Sequence, residues 1–290
     1  MEAITDWAHL WSELVENKNQ DKWNSIEAPG DSDIWLTRAR EYNDRVKIRW
    51  EKPDSTRETI LSMLEPNSTI LDIGAGTGSW SVLFSKAAQK VTAVEPSQAM
   101  REVMQENIRN GGIQNIDIVP EKWPEANTSV HDYAFCSHAM YGVADFPSFV
   151  HKMIECSSKM CFLLIRAVNR DNLLAEAAQT IWGQPYDSPN FVIAYNILIQ
   201  MGIYANVRME EGGKGFITTS ETEEKALIEM KRRLGLTNND WHDAYLKDLL
   251  HRRLIQEEDH LLWPGGVHSA LIYWQPAKDQ CLTSNQGGQR

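Results

Sequence analysis

The spacing of apolar residues changes twice along this chain. Up to about residue 65 they recur at helical intervals. Residues 2–17 read as an amphipathic helix, and a polar stretch with Pro29, Gly30 and Asp31 follows. A second helix is predicted over 34–50, with Trp35, Ala39, Tyr42 and Val46 on one stripe. A third opens near Pro53-Asp54 and stops before Pro66. From residue 69 the apolar positions form short runs instead: "TILDI", "KVTAV", "NIDIV", "VHDYAFC" and "KMCFLLIRA". Helical stretches separate them. One carries Trp80, Leu83, Phe84 and Ala87, one runs to residue 110 with Ser97 as its N-cap, and one covers about 146–156. Strands alternating with helices imply right-handed crossovers and a parallel sheet. Near-continuous apolar strands imply a sheet covered on both faces.

After residue 170 the alternation stops. Helices are predicted over 171–182 and 190–202, and "YANVRME" reads as a strand. Ser220 with Glu223 three residues later forms a capping box, so a helix is expected to open at Thr219-Ser220-Glu221. Another helix is expected over about 240–258, and "HSALIYWQ" reads as a last strand. The chain thus divides into a helical cap or lid at 1–65 and an α/β domain at 66–278. That domain carries a helical insertion at about 171–265, and a tail at 279–290 lacks any core-forming pattern and is expected to be disordered.

Charge and composition narrow the partners. The formal net charge of −11 would repel nucleic acid rather than attract it. The four cysteines include no CxxC pair, and three lie among apolar residues, which reads as buried, reduced thiols in a cytoplasmic protein without a metal site. The N-terminus lacks the basic and apolar regions of a signal peptide. The longest apolar segment, "FVIAYNILIQMGIYA", is too short to span a bilayer and contains Asn196 and Gln200, so no membrane partner is expected. Five of the eleven tryptophans, Trp7, Trp11, Trp23, Trp35 and Trp50, fall in the first fifty residues. They either pack a helical cap onto the main domain or wall a substrate pocket.

The stretch "ILDIGAGTGSW", residues 70–80, carries the candidate chemistry. Gly74, Gly76 and Gly78 follow a buried strand directly, at the place where such a βαβ unit binds its ligand. The spacing departs from the G-x-G-x-x-G of a dinucleotide site, since Ser79 stands where the last glycine would fall. Asp72 at the strand end would also face an anionic pyrophosphate unfavourably and suits a cationic ligand. Glu95 ends the second strand, seventeen residues after Gly78, where a carboxylate can accept ribose hydroxyls. A ribose, a close backbone contact and a cationic group without pyrophosphate together describe S-adenosylmethionine. A nicotinamide oxidoreductase fails on the glycine spacing.

"ILDIGAGTGSW" followed by "VTAVEPSQAM" resembles the first two motifs of the class I S-adenosylmethionine-dependent methyltransferases, and the likeness covers about residues 35–170. It implies a doubly wound, mostly parallel seven-stranded Rossmann-like sheet, closed by an antiparallel strand, here "HSALIYWQ". It implies that Gly74, Ala75, Gly76 and Gly78 lie against the methionine part of the cofactor and that Asp72 holds its amino end. Glu95 would accept the ribose hydroxyls, with Pro96, Ser97 and Met100 beside the adenine. "PEKWPE" occupies the place of the family's adenine-gripping pair, which nominates Glu121, Lys122 and Trp123; Glu121-Lys122 departs from the usual aspartate and apolar residue. A "W..RA..Y" pattern that lids the cofactor in many members matches Trp35, Arg38, Ala39 and Tyr42. Arg38 and Tyr42, one turn apart, can then face the same site, and Arg38 would suit the cofactor carboxylate. The alternative is a surface arginine beside a core tyrosine.

The fourth strand ends in "CSHAMYG", beside the transferable methyl in this fold. Ser137, His138 and Tyr141 would be nearest the reaction, with His138 either a general base or a packing residue. Many such reactions need no base and rely on in-line positioning. The implied activity is methyl transfer to a small-molecule acceptor. The other reading is a non-catalytic S-adenosylmethionine-binding or scaffold protein. Gly212-Gly213-Lys214-Gly215 lacks P-loop spacing and reads as a turn. His251, Glu257 and His260 lack zinc-ligand spacing and read as solvated.

Overall fold

A computed structural model describes residues 5–18, 33, 35–169, 171–210, 218–265 and 268–276. Among the described residues three helices come first: α1 (Trp7–Lys18), α2 (Ala39–Trp50) and α3 (Ser55–Met63). Asp54 opens α3 by accepting the Thr56 and Arg57 amides, which agrees with the start expected at Pro53-Asp54. Five strands follow, β1 (Thr69–Ile73), β2 (Lys90–Val94), β3 (Ile116–Val119), β4 (His131–Ser137) and β5 (Ser157–Arg166). Between them lie α4 (Ser79–Phe84), α5 (Gln98–Asn110) and α6 (Phe146–Glu155), with a 3-10 turn at Met140–Gly142.

The rest contains α7 (Leu173–Trp182), α8 (Phe191–Gln200), β6 (Asn206–Met209), β7 (Thr219–Ser220), α9 (Glu223–Arg233), α10 (Asp243–Arg253), β8 (Ile255–Glu257), β9 (His260–Leu262) and β10 (Ser269–Trp274). The main sheet runs β3-β2-β1-β4-β5-β10-β6, with β10 antiparallel to both of its neighbours. The strand order reverses between β1 and β4, and an open α/β sheet binds ligands in the crevice at such a switch point.

Both faces of the sheet are covered, as the continuous apolar runs require. Along β1, Leu71 and Ile73 enter one core cluster and Ile70 enters another. The first cluster lies under α1, α6 and α8, where Trp11 stacks on Phe146 at 4.2 Å and donates its indole N–H to Val143 O at 2.8 Å. The second lies under α3 and α4, around Ile60 and Phe84. Helix α2 goes elsewhere, packing Ala39 and Tyr42, with Trp35 just before it, on Ala99, Met100 and Val103 of α5. The described helices of the first fifty residues, α1 and α2, are therefore anchored at two separate places.

The sequence reading needs two corrections after residue 210. Ser220 does not cap a helix: it lies in β7, and its Oγ accepts the Trp263 indole N–H at 2.9 Å. Thr222 caps α9 instead, accepting from Lys225 N. The helix expected over 240–258 ends at Arg253, because Leu254 is extended and β8 pairs antiparallel with β9. With β7 these form a small three-stranded sheet that periodicity did not suggest. The expected tail and Trp23 lie outside the described residues. Among the described residues no helix is long and apolar enough to cross a membrane.

Candidate functional site

The glycine turn is pinned to the end of β2. Gly74 N and Ala75 N both donate to Val94 O, at 2.8 and 3.0 Å. Gly74, Gly76 and Gly78 have φ values of 69, 58 and 83°, in the left-handed region that side chains disfavour. Their roles differ. A Cβ on Gly74 would sit 2.2 Å from Ala139 Cβ, and one on Gly78 would sit 2.4 Å from Met104 Cγ. A Cβ on Gly76 would meet nothing within 4 Å. Gly74 and Gly78 thus allow close packing, whereas Gly76 presents bare backbone to open space.

Glu95 is buried at the foot of this turn. Its Oε2 accepts from Gly76 N and its Oε1 from Ser97 N, both at 2.8 Å. Each oxygen keeps a second lone-pair direction for another donor. Burial pushes its pKa up, and the two amides work the other way. Ser97 caps α5 as expected, accepting from Met100 N at 3.1 Å, and donates its hydroxyl to Asp33 Oδ2 at 2.7 Å. Asp33 also accepts the Ala99 and Trp35 amides, and so ties the chain entering α2 to the start of α5.

Asp72 sits at the switch point with its carboxylate buried. Its Oδ2 accepts the Ser81 hydroxyl at 2.6 Å. Its pKa is raised to about 7, foremost by burial and then by Glu95, against the opposing Ser81 hydroxyl. The carboxyl lines a cleft bounded below by Gly74, Ala75, Gly76 and Thr77.

Helix α2 forms the roof. Tyr42, Val46, Arg49 and Trp50 line the cleft from one helical stripe. Asn107 of α5 holds this helix, donating its amide both to Asn43 Oδ1 at 3.0 Å and to Thr77 O at 2.9 Å. Arg40 adds a two-pronged ion pair to Glu106. Tyr42 stands where the sequence placed it, but Arg38 does not. Arg38 occupies the N-cap with non-helical dihedrals, is exposed, and does not line the cleft. Arg49, seven residues beyond Tyr42, supplies a guanidinium there, 4.0 Å from Glu210 Oε1.

Ser137 and His138 close the cleft at the end of β4. Tyr141 Oη accepts the Arg166 backbone N–H at 2.7 Å and also hydrogen-bonds His138 Nδ1 at 2.8 Å. The other ring nitrogen of His138, Nε2, faces Ser269 Oγ at 3.2 Å. Burial foremost, with the nearby Arg49 and Arg166, lowers the His138 pKa to about 3. Both ring nitrogens are engaged and the imidazole is neutral.

The remaining sequence candidates lie outside this cleft. Pro96 is exposed, and Met100 is buried between α5 and α2. Glu121 is exposed and accepts the Asn127 amide, while Lys122 is exposed and its carbonyl accepts Ala126 N. Trp123 corrects the expectation of an aromatic wall. Its indole N–H donates to Phe149 O at 3.1 Å, and the ring packs edge-on against Phe149 in the core. Arg49, Asn43, Asp33 and Ser269 escaped the sequence reading. Only Arg49 left a signal, its place on the Tyr42–Val46 stripe.

The family model described as "Methyltransferase domain" matches residues 38–196, more than half of the chain. The chain therefore belongs to that family. Its fold, with the glycine turn and the acidic end of β2, is that of the class I S-adenosylmethionine-dependent methyltransferases. An uncharacterized protein of Haemophilus influenzae is 23% identical over 228 residues, covering 77% of this chain and 82% of that one. The cobalt-precorrin-6B C(15)-methyltransferase of Salmonella typhimurium is 34% identical over 100 residues, covering 32% of this chain and 52% of its own. Among solved structures, a candidate methyltransferase of Bacillus halodurans superposes with a TM-score of 0.54 at 14% identity, covering 77% of this chain and 97% of that one.

Proposed function

We propose that this chain transfers the methyl group of S-adenosylmethionine to a small-molecule acceptor in the cytoplasm. The observation that carries this reading is the pairing of bare backbone at Gly76 with the buried Glu95 carboxylate beneath it. Glu95 would accept the ribose hydroxyls on its free lone pairs. Gly74, Ala75, Gly76 and Gly78 would line the methionine part, with Asp72 near its amino group. Tyr42 and Arg49 would close over it from α2, Arg49 facing the carboxylate. When bound, S-adenosylmethionine supplies an electrophilic methyl on a sulfonium centre.

The protein's part in this reading is positioning rather than proton transfer. Both ring nitrogens of His138 are already hydrogen-bonded within the protein, Nδ1 to Tyr141 and Nε2 to Ser269, which leaves neither for a substrate proton. It is a neutral wall that orients the acceptor beside Ser137. The acidic surface disfavours a nucleic-acid acceptor. Buried thiols at Cys136, Cys156 and Cys161 suit a reducing compartment.

The test is turnover. The protein with S-adenosylmethionine and pooled small-molecule acceptors should release S-adenosylhomocysteine above the acceptor-free rate. Saturable cofactor binding without turnover on any pool would leave a binding protein instead.

A further inference from the structure

A second cavity opens at the same end of the sheet, beyond His138 and Tyr141. The end of β5, the start of α7, Arg233 of α9 and Trp263 enclose it. No residue lines both this cavity and the cleft already described. The Tyr141 hydroxyl joins their walls, 2.8 Å from His138 Nδ1 and 2.7 Å from the backbone nitrogen of Arg166.

The charges lining this cavity are unbalanced. Two guanidinium groups, Arg166 and Arg233, stand against one carboxylate, Asp187. Asp187 is buried and held by others: its Oδ1 accepts from Asn172 Nδ2 at 2.8 Å and its Oδ2 from Ser188 Oγ at 3.2 Å. Arg166 donates to Ser188 Oγ at 2.8 Å but stands 3.6 Å from the carboxylate. That exceeds the ~2.7–2.9 Å of a charge-assisted bond. Asp187 therefore orients Arg166 without closing on it, and the Tyr141 ring supports the guanidinium at 5.2 Å. Across the cavity Arg233 lies 5.5 Å over the Trp263 ring, fixed through Nε by Glu229 at 2.7 Å.

The surroundings reinforce this picture. Lys18, at the end of α1, has its pKa lowered to about 8, foremost by burial; Asp187 opposes the shift while Arg166, Arg233 and Arg232 add to it. Leu173, Leu174 and Trp263 supply apolar walls. The turn at Gly265 shuts one side, since a Cβ there would lie 2.3 Å from Asp171 O.

We propose that this cavity binds the oxyanion, carboxylate or phosphate, of a small acidic methyl acceptor, with Arg166 and Arg233 as its charged contacts. A planar guanidinium matches either group by a two-pronged contact. The apolar walls take the adjoining hydrocarbon or ring, and the reactive end would face Tyr141 and His138. The proposal rests on the methyltransferase reading.

The experiment measures thermal shift and calorimetric binding on the full chain, with phenylacetate, phenyl phosphate and the neutral phenylacetamide at millimolar concentration. We expect phenylacetate or phenyl phosphate to raise Tm and the amide not to, and which of the two acts identifies the oxyanion. Arg233→Met should weaken that binding about tenfold, with S-adenosylhomocysteine affinity unchanged. Arg166→Lys, which keeps charge but loses the fork, should weaken it as well. The proposal is overturned if the amide binds as tightly as the anions, if neither anion binds, or if both variants bind like the parent. The S-adenosylhomocysteine titration is read separately: its failure removes the methyltransferase reading and leaves the result for the cavity intact.

Discussion

The Gly76 backbone amide donates to Glu95 Oε2 at 2.8 Å, across nineteen residues of sequence. The carboxylate at the end of β2 thereby holds the one turn glycine that faces open space. The turn and the ribose acceptor act as a single unit, so a change at either is felt at both.

Glu95→Gln tests this unit. It keeps the shape, removes the charge and turns one donor toward an N–H. Hydrogen bonds to a charged group contribute about 1.5–3 kcal/mol, so S-adenosylhomocysteine binding should weaken about 10- to 100-fold. Calorimetry measures this, and unchanged affinity in a folded variant would take Glu95 out of the site.

Gly74→Ala and Gly76→Ala should fail in different ways. The methyl at 74 collides with Ala139, so unfolding in urea should show a loss of about 2–4 kcal/mol. The methyl at 76 meets no protein atom within 4 Å and should cost only about 1–2 kcal/mol of backbone strain. Binding of S-adenosylhomocysteine should nevertheless be lost at 76. Normal binding there would mean that no ligand approaches that backbone.

Asp72 should make stability fall as pH rises. Its folded pKa of about 7 lies above the ordinary 3.8, so between these values the folded state holds a proton that the unfolded state has released. The stabilisation is complete below about pH 4 and is lost progressively up to about pH 7. Asp72→Asn should remove this slope, gaining stability relative to the parent at pH 7 by up to a few kcal/mol. Parallel denaturation curves at pH 5 and 7 for both proteins would show otherwise.

Tyr141→Phe leaves the Arg166 backbone N–H and His138 Nδ1 without their shared partner. Leaving a buried donor unpaired should cost about 1–3 kcal/mol. A stability loss below about 0.5 kcal/mol would mean that water replaces the hydroxyl.

Helix α2 should be protected from amide exchange before any ligand binds, because Asn107 ties it to the glycine turn. Asn43→Ala should speed exchange across 39–50 and weaken S-adenosylhomocysteine binding. Fast exchange of that helix in the parent, slowed only by ligand, would instead make it a lid that closes on binding.

Much of this could be read from the sequence because the physics is local. Continuous apolar runs mark β1, β2, β4 and β5, and the glycine spacing marks the turn. Ser220 misled because its hydroxyl has a distant partner, Trp263, which no local pattern reveals. The β8–β9 hairpin turns at Glu258, with φ 37° and no glycine, so "IQEEDH" reads as the end of a helix. A family pattern names Arg38 and leaves Arg49 unnoticed, although the helical stripe running on from Tyr42 leads to Arg49. Trp123 shows the limit for single aromatics: sequence places it near the site, but only packing decides which way the indole turns.

The place of β10 bears on how the protein is made. It lies between β5 and β6, although more than a hundred residues separate it from β5 in sequence. Until residues 269–274 leave the ribosome, β6 has no neighbour to pair with and β5 carries a bare edge. Strand β6 must therefore wait unpaired beside an open sheet. During that interval the exposed edge of β5 could be claimed by another nascent chain.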